Sequence, residues 1–325
     1  MYCHVLAISG FLSNDMAALT MKGEEQNTTT DHGTSSKKRK LTMISGSSYI
    51  PMEKHGTLQG DDAHFICAEK ETVGVADGVG GWSKHGIDAG EYARQLMRNA
   101  EYAVVNGEPE SKVDPRKVLD AAYSKTKVKG SSTACILTLD QDEVTTIPVE
   151  AGDVIVAGTD GLFDNLYPRQ IEELVRPMIE GGSDPQDVAW AVAGQAYCTS
   201  MDREAFTPFT EGSLEAGKSS VGGKEDDITV IVSCIVDDSV HSAASSSCFA
   251  LSAKYKWAMP GTRGLSAVRR TPKQQSGGGS MLSSVISRCI LFPDVETDVG
   301  DTQELVAVAD DPTPPAIEMP PWLFI

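Results

Sequence analysis

Two stretches of this chain share one construction. Val73-Gly74-Val75-Ala76 runs into Asp77-Gly78, and Val154-Ile155-Val156-Ala157 runs through Gly158-Thr159 into Asp160-Gly161. Short runs of this kind read as buried strands, and each delivers one carboxylate to its open end. The glycines after Asp77 let the backbone turn tightly and approach another group closely. A third acidic cluster, Glu225-Asp226-Asp227, precedes the apolar strand Ile228 to Val236. Three strands with an aspartate at one end predict carboxylates converging on hard cations. Any one of these aspartates reads equally well as a turn or cap residue. Asp88, Asp164 and Asp227 are assigned to that structural role, and the joint pattern carries the metal reading.

Magnesium and manganese take oxygen ligands and keep several waters. Asp77, at a strand end in a glycine-rich turn, is the natural bridge between two such ions. The carbonyl of Gly78 is unobstructed by a side chain and can ligate. Asp160 and Asp226 supply further carboxylates, and Asp61 and Asp62 lie nearby if their strand pairs with the Val73 strand. Without metal the cluster repels itself. Two cations would remove that repulsion and acidify a bridging water, giving a hydroxide suited to in-line attack on a phosphate. Asp77 marks the site of that hydroxide.

The frame around these strands is α+β. Strands are expected at Leu41 to Ile50, Asp62 to Ile66, Ser131 to Leu139 and Val144 to Val149. Asp88 and the pairs Asp114-Pro115 and Asp184-Pro185 cap helices reaching about Val105, Lys127 and Tyr197. A further helix spans Arg169 to Arg176, with Pro177 ending or kinking it. Met201 to Lys224, polar and glycine-rich, reads as a surface loop. Residues 1–42 read as a disordered leader, 43–238 as the folded domain and 239–325 as a largely disordered tail. The tail holds the apolar segment Met281 to Phe292. The basic run Lys37-Lys38-Arg39-Lys40 reads as a nuclear localisation signal or, equally, as a solvated charge cluster.

Composition narrows the function classes. A formal net charge of -18 leaves no excess to neutralise phosphates, so nucleic acid is not the expected partner. The 7 cysteines form no C-x-x-C pair and read as reduced thiols inside a cell. No apolar run approaches the roughly 20 residues of a membrane span. The patch Val5 to Leu12 has no basic residue ahead of it, unlike a secretory signal. A haloacid-dehalogenase-type centre needs Asp-x-Asp, but Leu162 stands two positions after Asp160. An EF-hand from Asp140 would want glycine and glutamate where Thr145 and Ala151 stand.

The motifs G-D-D-A-H-F-I (60–66), V-G-V-A-D-G-V-G-G-W (73–82), D-A-G-E-Y-A-R (88–94), K-G-S-S-T-A (129–134), G-D-V-I-V-A-G-T-D-G-L-F-D-N (152–165) and D-D-I-T-V (226–230) occur in one order. Together they resemble the metal-dependent protein phosphatases of type 2C, in the D-G-V-G-G-W branch found in plants and organelles. The resemblance covers Leu41 to Val236. It implies an α-β-β-α sandwich of two antiparallel sheets flanked by helices, with two Mg2+ or Mn2+ ions per subunit in a cleft at one end. By motif match Asp77 resembles the bridging ligand, Gly78 the carbonyl ligand, and Asp160 and Asp226 the remaining direct ligands. Asp61 and Asp62 match an acidic pair reaching metal through water. The implied activity is hydrolysis of phosphoserine and phosphothreonine in phosphoproteins, by an intracellular monomer of unassigned compartment (nucleus, cytoplasm or organelle).

Three departures qualify that expectation. Val79 stands where the larger branch has a histidine proposed as leaving-group acid, and His64, His85 or a metal-bound water would replace it. No arginine stands before Asp61 in the first strand region, where many members hold a phosphate-binding one, and Lys54 and His55 are the cations there. Leu139 is followed within eight residues by Ile147, where the family carries several dozen residues with an N-x-G-D-S type motif. Central strands are therefore expected to be missing, leaving an apolar edge exposed. A catalytically impaired, truncated isoform or a pseudophosphatase that binds metal or phosphoprotein without turnover is the alternative.

Overall fold

Alternation along the strands decides the layering. The structure, a computed structural model, describes residues 3–9, 40–52, 59–108 and 112–238. The first sheet takes β1 (His4–Ile8), β8 (Val154–Gly158), β9 (Ile228–Asp237) and β2 (Leu41–Ile50), in that spatial order. The second takes β3 (Asp62–Cys67), β4 (Thr72–Gly78), β5 (Ser132–Asp140), β6 (Glu143–Val144) and β7 (Ile147–Pro148). All pairings are antiparallel.

One set of alternating residues fills the space between the sheets: Val73, Val75, Cys135 and Leu137 meet Val5, Ile155, Ile231 and Ile235. The opposite set on the first sheet, Val154, Val156, Val230 and Val232, buries under α4 (Pro168–Glu180) and α5 (Pro185–Ser200). On the second sheet, Ala134 and Ile136 pack beneath α1 (Ala89–Val105) and α2 (Pro115–Lys125) through Tyr92, Leu96, Val118 and Leu119. Each fully buried leucine or valine contributes about 1.5–3 kcal/mol. The result is the α-β-β-α sandwich that the motifs imply. Helix starts follow local chemistry. Asp88 accepts from the Gly90 amide, Asp114 from Arg116 and Lys117, and Asp184 from Asp187. Each cap is worth about 1 kcal/mol.

Four readings need correction. His4–Ile8, assigned to the disordered leader, is a strand whose five residues pair with β8 from Gly158 to Val154. Its apolar residues are drawn into both faces of the sheet. The edge of β8 is thus covered rather than left open. Val144 to Val149 is not one strand but part of two tight hairpins, Asp140 pairing Glu143 and Val144 pairing Ile147. Helix α4 continues past Pro177 to Glu180, because the proline falls in the last turn. Within the expected loop 201–224, Pro208–Glu215 forms a helix, α6, whose cap Thr207 accepts from the Thr210 amide. The basic residues 37–39, the cations Lys54 and His55, most of the leader and the whole of 239–325 lie outside the described residues.

The hairpins carry a cost. Gln141 and Thr145, the first central residues of the two turns, have φ of 57° and 57°. A two-residue turn with positive φ at its first position favours glycine there. Gln141→Gly is expected to raise stability by roughly 0.5–1 kcal/mol, the left-handed strain outweighing glycine's extra chain entropy. Urea unfolding measures this, and a destabilised variant contradicts it.

Candidate metal centre

At one end of the sandwich the alternation that buries valine and isoleucine delivers polar groups instead. On β4 the face of Val73 and Val75 continues to Asp77, and on β5 the face of Leu137 and Cys135 continues to Thr133. On β9 the face of Ile231 ends at Thr229. The register sets Asp62 opposite Asp77 and Asp77 opposite Thr133. Asp62 crosses between the sheets: one carboxylate oxygen accepts from the hydroxyls of Thr159 and Thr229, both at 2.7 Å. Asp160 opens a single helical turn, α3 (Asp160–Phe163), directly after β8.

The surrounding backbone is fixed by specific contacts. Asp227 accepts from the amides of Met52 at 2.8 Å and Asp61 at 2.9 Å, tying the lead-in of β9 to that of β3. Arg94 of α1 donates to the Gly60 carbonyl at 2.9 Å and pairs with Asp88. Gly78 accepts no side chain, since a Cβ there would lie 2.4 Å from the Ala89 carbonyl oxygen and 2.9 Å from that of Asp61. The Trp82 indole donates to Ser131 at 2.9 Å, and the Val79 amide to the Ser131 carbonyl, pinning the glycine-rich turn to the start of β5.

Electrostatics follow from burial. Asp77 is pushed up to about 8, by burial first and then by the charges of Asp160 and Asp226. Asp62 is raised well above the ordinary carboxylate range by burial and by Asp77, against the pull of its two threonine donors. Burial and Asp160 also raise Asp226, with Lys224 opposing them. Lys224 itself is raised: burial would lower it, but Asp160 and Asp164 outweigh that. Its Nζ lies 2.8 Å from Asp160, 2.7 Å from Asp164 and 3.1 Å from Asp226.

These residues suit hard divalent cations in donor type, because every side-chain group offered is a carboxylate oxygen. Asp62 Oδ1 and Asp77 Oδ2 are buried without a hydrogen-bond partner, and such orphaned acceptors call for a cation or a donor. Among the described residues no three His, Cys, Asp or Glu side chains already stand in ligating positions. The carboxylates of Asp160, Asp164 and Asp226 are instead drawn onto Lys224.

The two histidines named as possible substitutes for the acid each have a contact of their own. His64 shares a hydrogen bond with Ser47 at 3.0 Å across the sheets, and burial lowers its pKa. His85 is exposed, edge-on to Trp82. Sequence reasoning passed over Lys224, Asn165, Thr159 and Thr229, and it gave Asp164 only a turn's role. Four of the five are in quoted motifs: Thr159 beside Asp160, Asp164 and Asn165 at the end of that same motif, and Thr229 after Asp226-Asp227-Ile228. Lys224, the cation beside Glu225-Asp226-Asp227, had only its position as a signal.

No family model matches the chain. It is 38% identical to probable protein phosphatase 2C 55 of Arabidopsis thaliana over 244 residues, taking in 60% of this chain and 52% of that protein. It is 32% identical to putative protein phosphatase 2C 24 of Oryza sativa subsp. japonica over 252 residues, 61% of this chain and 78% of that protein. The fold is similar to the X-ray structure of the photosystem II phosphatase PBCP, with a TM-score of 0.53 and 23% identity over 59% of this chain and 98% of that one. The chain spans 52% to 59% of the length of the first curated relatives it matches. An alignment of 244 positions that uses 60% of 325 residues, about 195, leaves about 49 positions that the first relative carries and this chain lacks.

Proposed function

This chain belongs to the protein phosphatase 2C family, and on that premise we propose that it hydrolyses phosphoserine and phosphothreonine esters of phosphoproteins. The observation that carries the reading is the meeting of Asp77 from one sheet with Asp160 and Asp226 from the other, beside orphaned carboxylate oxygens. Asp77, the Gly78 carbonyl, Asp160 and Asp226 would hold two Mg2+ or Mn2+ ions. When bound, such ions polarise a phosphoryl oxygen and make water acidic enough to act as a nucleophile near neutral pH.

The chain's own residues do the positioning. Asp62, locked by Thr159 and Thr229, sets the spacing of the two sheets at this end. Asp227 holds the Asp61 amide and keeps Asp226 at the mouth. Val79 carries no proton to donate, so the leaving alkoxide is protonated from water. Manganese-dependent phosphate release from a phosphothreonine peptide tests the proposal. We expect activity with Mn2+ or Mg2+ and at least about a hundredfold less in chelator. Activity that survives chelation contradicts it.

A second reading has one observation in its favour: the shortened connection between β5 and β8, closed by two strained hairpins. On that reading the chain binds metal or phosphoprotein without turnover. Calorimetric manganese binding with no phosphate release selects it.

A further inference from the structure

Lys224 lies in a polar, glycine-rich approach to β9, yet its ammonium ends among the carboxylates assigned to metal. It contacts Asp160, Asp164 and Asp226, one oxygen from each. An ammonium has three donors, so these contacts saturate it. This differs from a surface ion pair. The lysine side chain is 26% exposed and the Asp160 side chain 6%.

The position of the lysine is built. Its amide donates to Asn165 Oδ1 at 2.9 Å, and its carbonyl accepts from Asn165 Nδ2 at 2.9 Å. Asn165 Nδ2 also donates to the Gly161 carbonyl at 2.8 Å. One asparagine side chain therefore clamps the Lys224 backbone to the turn that carries Asp160 and Asp164. The stem is anchored and the four-carbon chain remains free to move its charged end.

The geometry points to Lys224 as a resident counter-cation: it gathers Asp160, Asp164 and Asp226 when no divalent ion is bound, and its ammonium must withdraw when one binds. This rests on the metal-centre reading above. The physical reason is competition. Asp160 and Asp226 present the same lone pairs to the ammonium and to a metal, and two cations at one site repel. The lysine lowers metal affinity and keeps the metal-free carboxylates from driving the two sheets apart. It also accounts for the lack of a ready-made ligand cluster among the described residues.

Two measurements on the full chain test this. Mn2+ is titrated calorimetrically into wild type and Lys224→Met. Reductive methylation of lysines, read by mass spectrometry, is run on wild type with and without Mg2+. Losing three charge-assisted contacts is expected to tighten Mn2+ binding by roughly tenfold to a hundredfold and to lower the thermal midpoint of the metal-free variant. Methylation of Lys224 is expected to rise several-fold on adding Mg2+, with the exposed Lys218 as an unchanged reference. Unchanged Lys224 labelling in a wild type that binds metal overturns the displacement, even if the variant binds more tightly. Equal affinities overturn it as well. If neither protein binds manganese, the metal-centre reading itself has failed. If Lys224→Met does not fold, the labelling of wild type decides alone.

Discussion

Asp77→Asn is expected to abolish phosphate release, by about a hundredfold to a thousandfold or more, while making the metal-free protein more stable. The two effects have one cause. A buried carboxylate that feels the charges of Asp160 and Asp226 is useful to a cation and costly without one. Its proton is held in the folded state up to about pH 8, whereas the unfolded chain releases it near 3.8. The stability this proton contributes is fully present below 3.8 and is lost as pH rises toward 8. Between those values the folded state binds more protons than the unfolded one, so stability falls with pH. Asparagine has the same shape and no charge, and it is free of this slope. In chelator at pH 8 the variant is expected to exceed wild type by roughly 2–4 kcal/mol, with the difference vanishing near pH 4. Added manganese is expected to reverse the order, since wild type gains the binding energy. Thermal unfolding across pH, with and without Mn2+, measures all three. A variant no more stable than wild type at pH 8 in chelator would sink the electrostatic account, whatever its activity.

Gly161→Ala is the second large effect. A Cβ at that position would lie 2.0 Å from the Asp227 carbonyl oxygen and 2.9 Å from its carbon. Those are backbone atoms and cannot rotate aside. Asp227 is in turn fixed by the amides of Met52 and Asp61. Relief requires the turn after β8 to separate from the lead-in of β9, which carries Asp160 away from Asp226. We expect a loss of about 3 kcal/mol, together with metal binding weakened by at least roughly tenfold. Gly194, on α5, has no atom within 4 Å of its added Cβ. Gly194→Ala is accordingly expected to stabilise by about 0.8–1 kcal/mol through helix propensity. Urea unfolding of the pair separates a close-approach glycine from an incidental one. Equal stabilities would mean that the two segments can part freely.

Much of this was legible in the chain because the signals are local. Val73-Ala76 and Val154-Ala157 announce strands, and Asp88, Asp114 and Asp184 announce helix starts within a few residues of themselves. The carboxylates were legible for the same reason, since each ends its own strand. β1 was not. Val5-Leu6-Ala7-Ile8 can show that it is apolar, but not that its partner is Val154 to Gly158. A strand's partner is a property of the assembled sheet. Lys224 was hidden differently. A lysine in a polar loop has no periodicity, and only the clamp from Asn165 gives it an address. The second hairpin, Val144 to Ile147, was misread because Thr145 stands where glycine is the usual mark of the turn.

The distribution of strands between the sheets has a consequence for how the molecule is made. The second sheet is one uninterrupted stretch from Asp62 to Pro148, with its two helices inside it. The first draws two strands from the beginning of the chain and two from after residue 150, and β2 pairs Leu41 with Asp237. A chain emerging from the ribosome can pair the second sheet while β1 and β2 still wait for partners not yet synthesised. Pairings of such long range are slow and leave edges uncovered meanwhile. Asp77 belongs to the early half and Asp160 and Asp226 to the late half. On the proposed metal reading, the three carboxylates come together only after synthesis has passed Asp226, so metal could stabilise the assembled sheets but could not template the nascent second one.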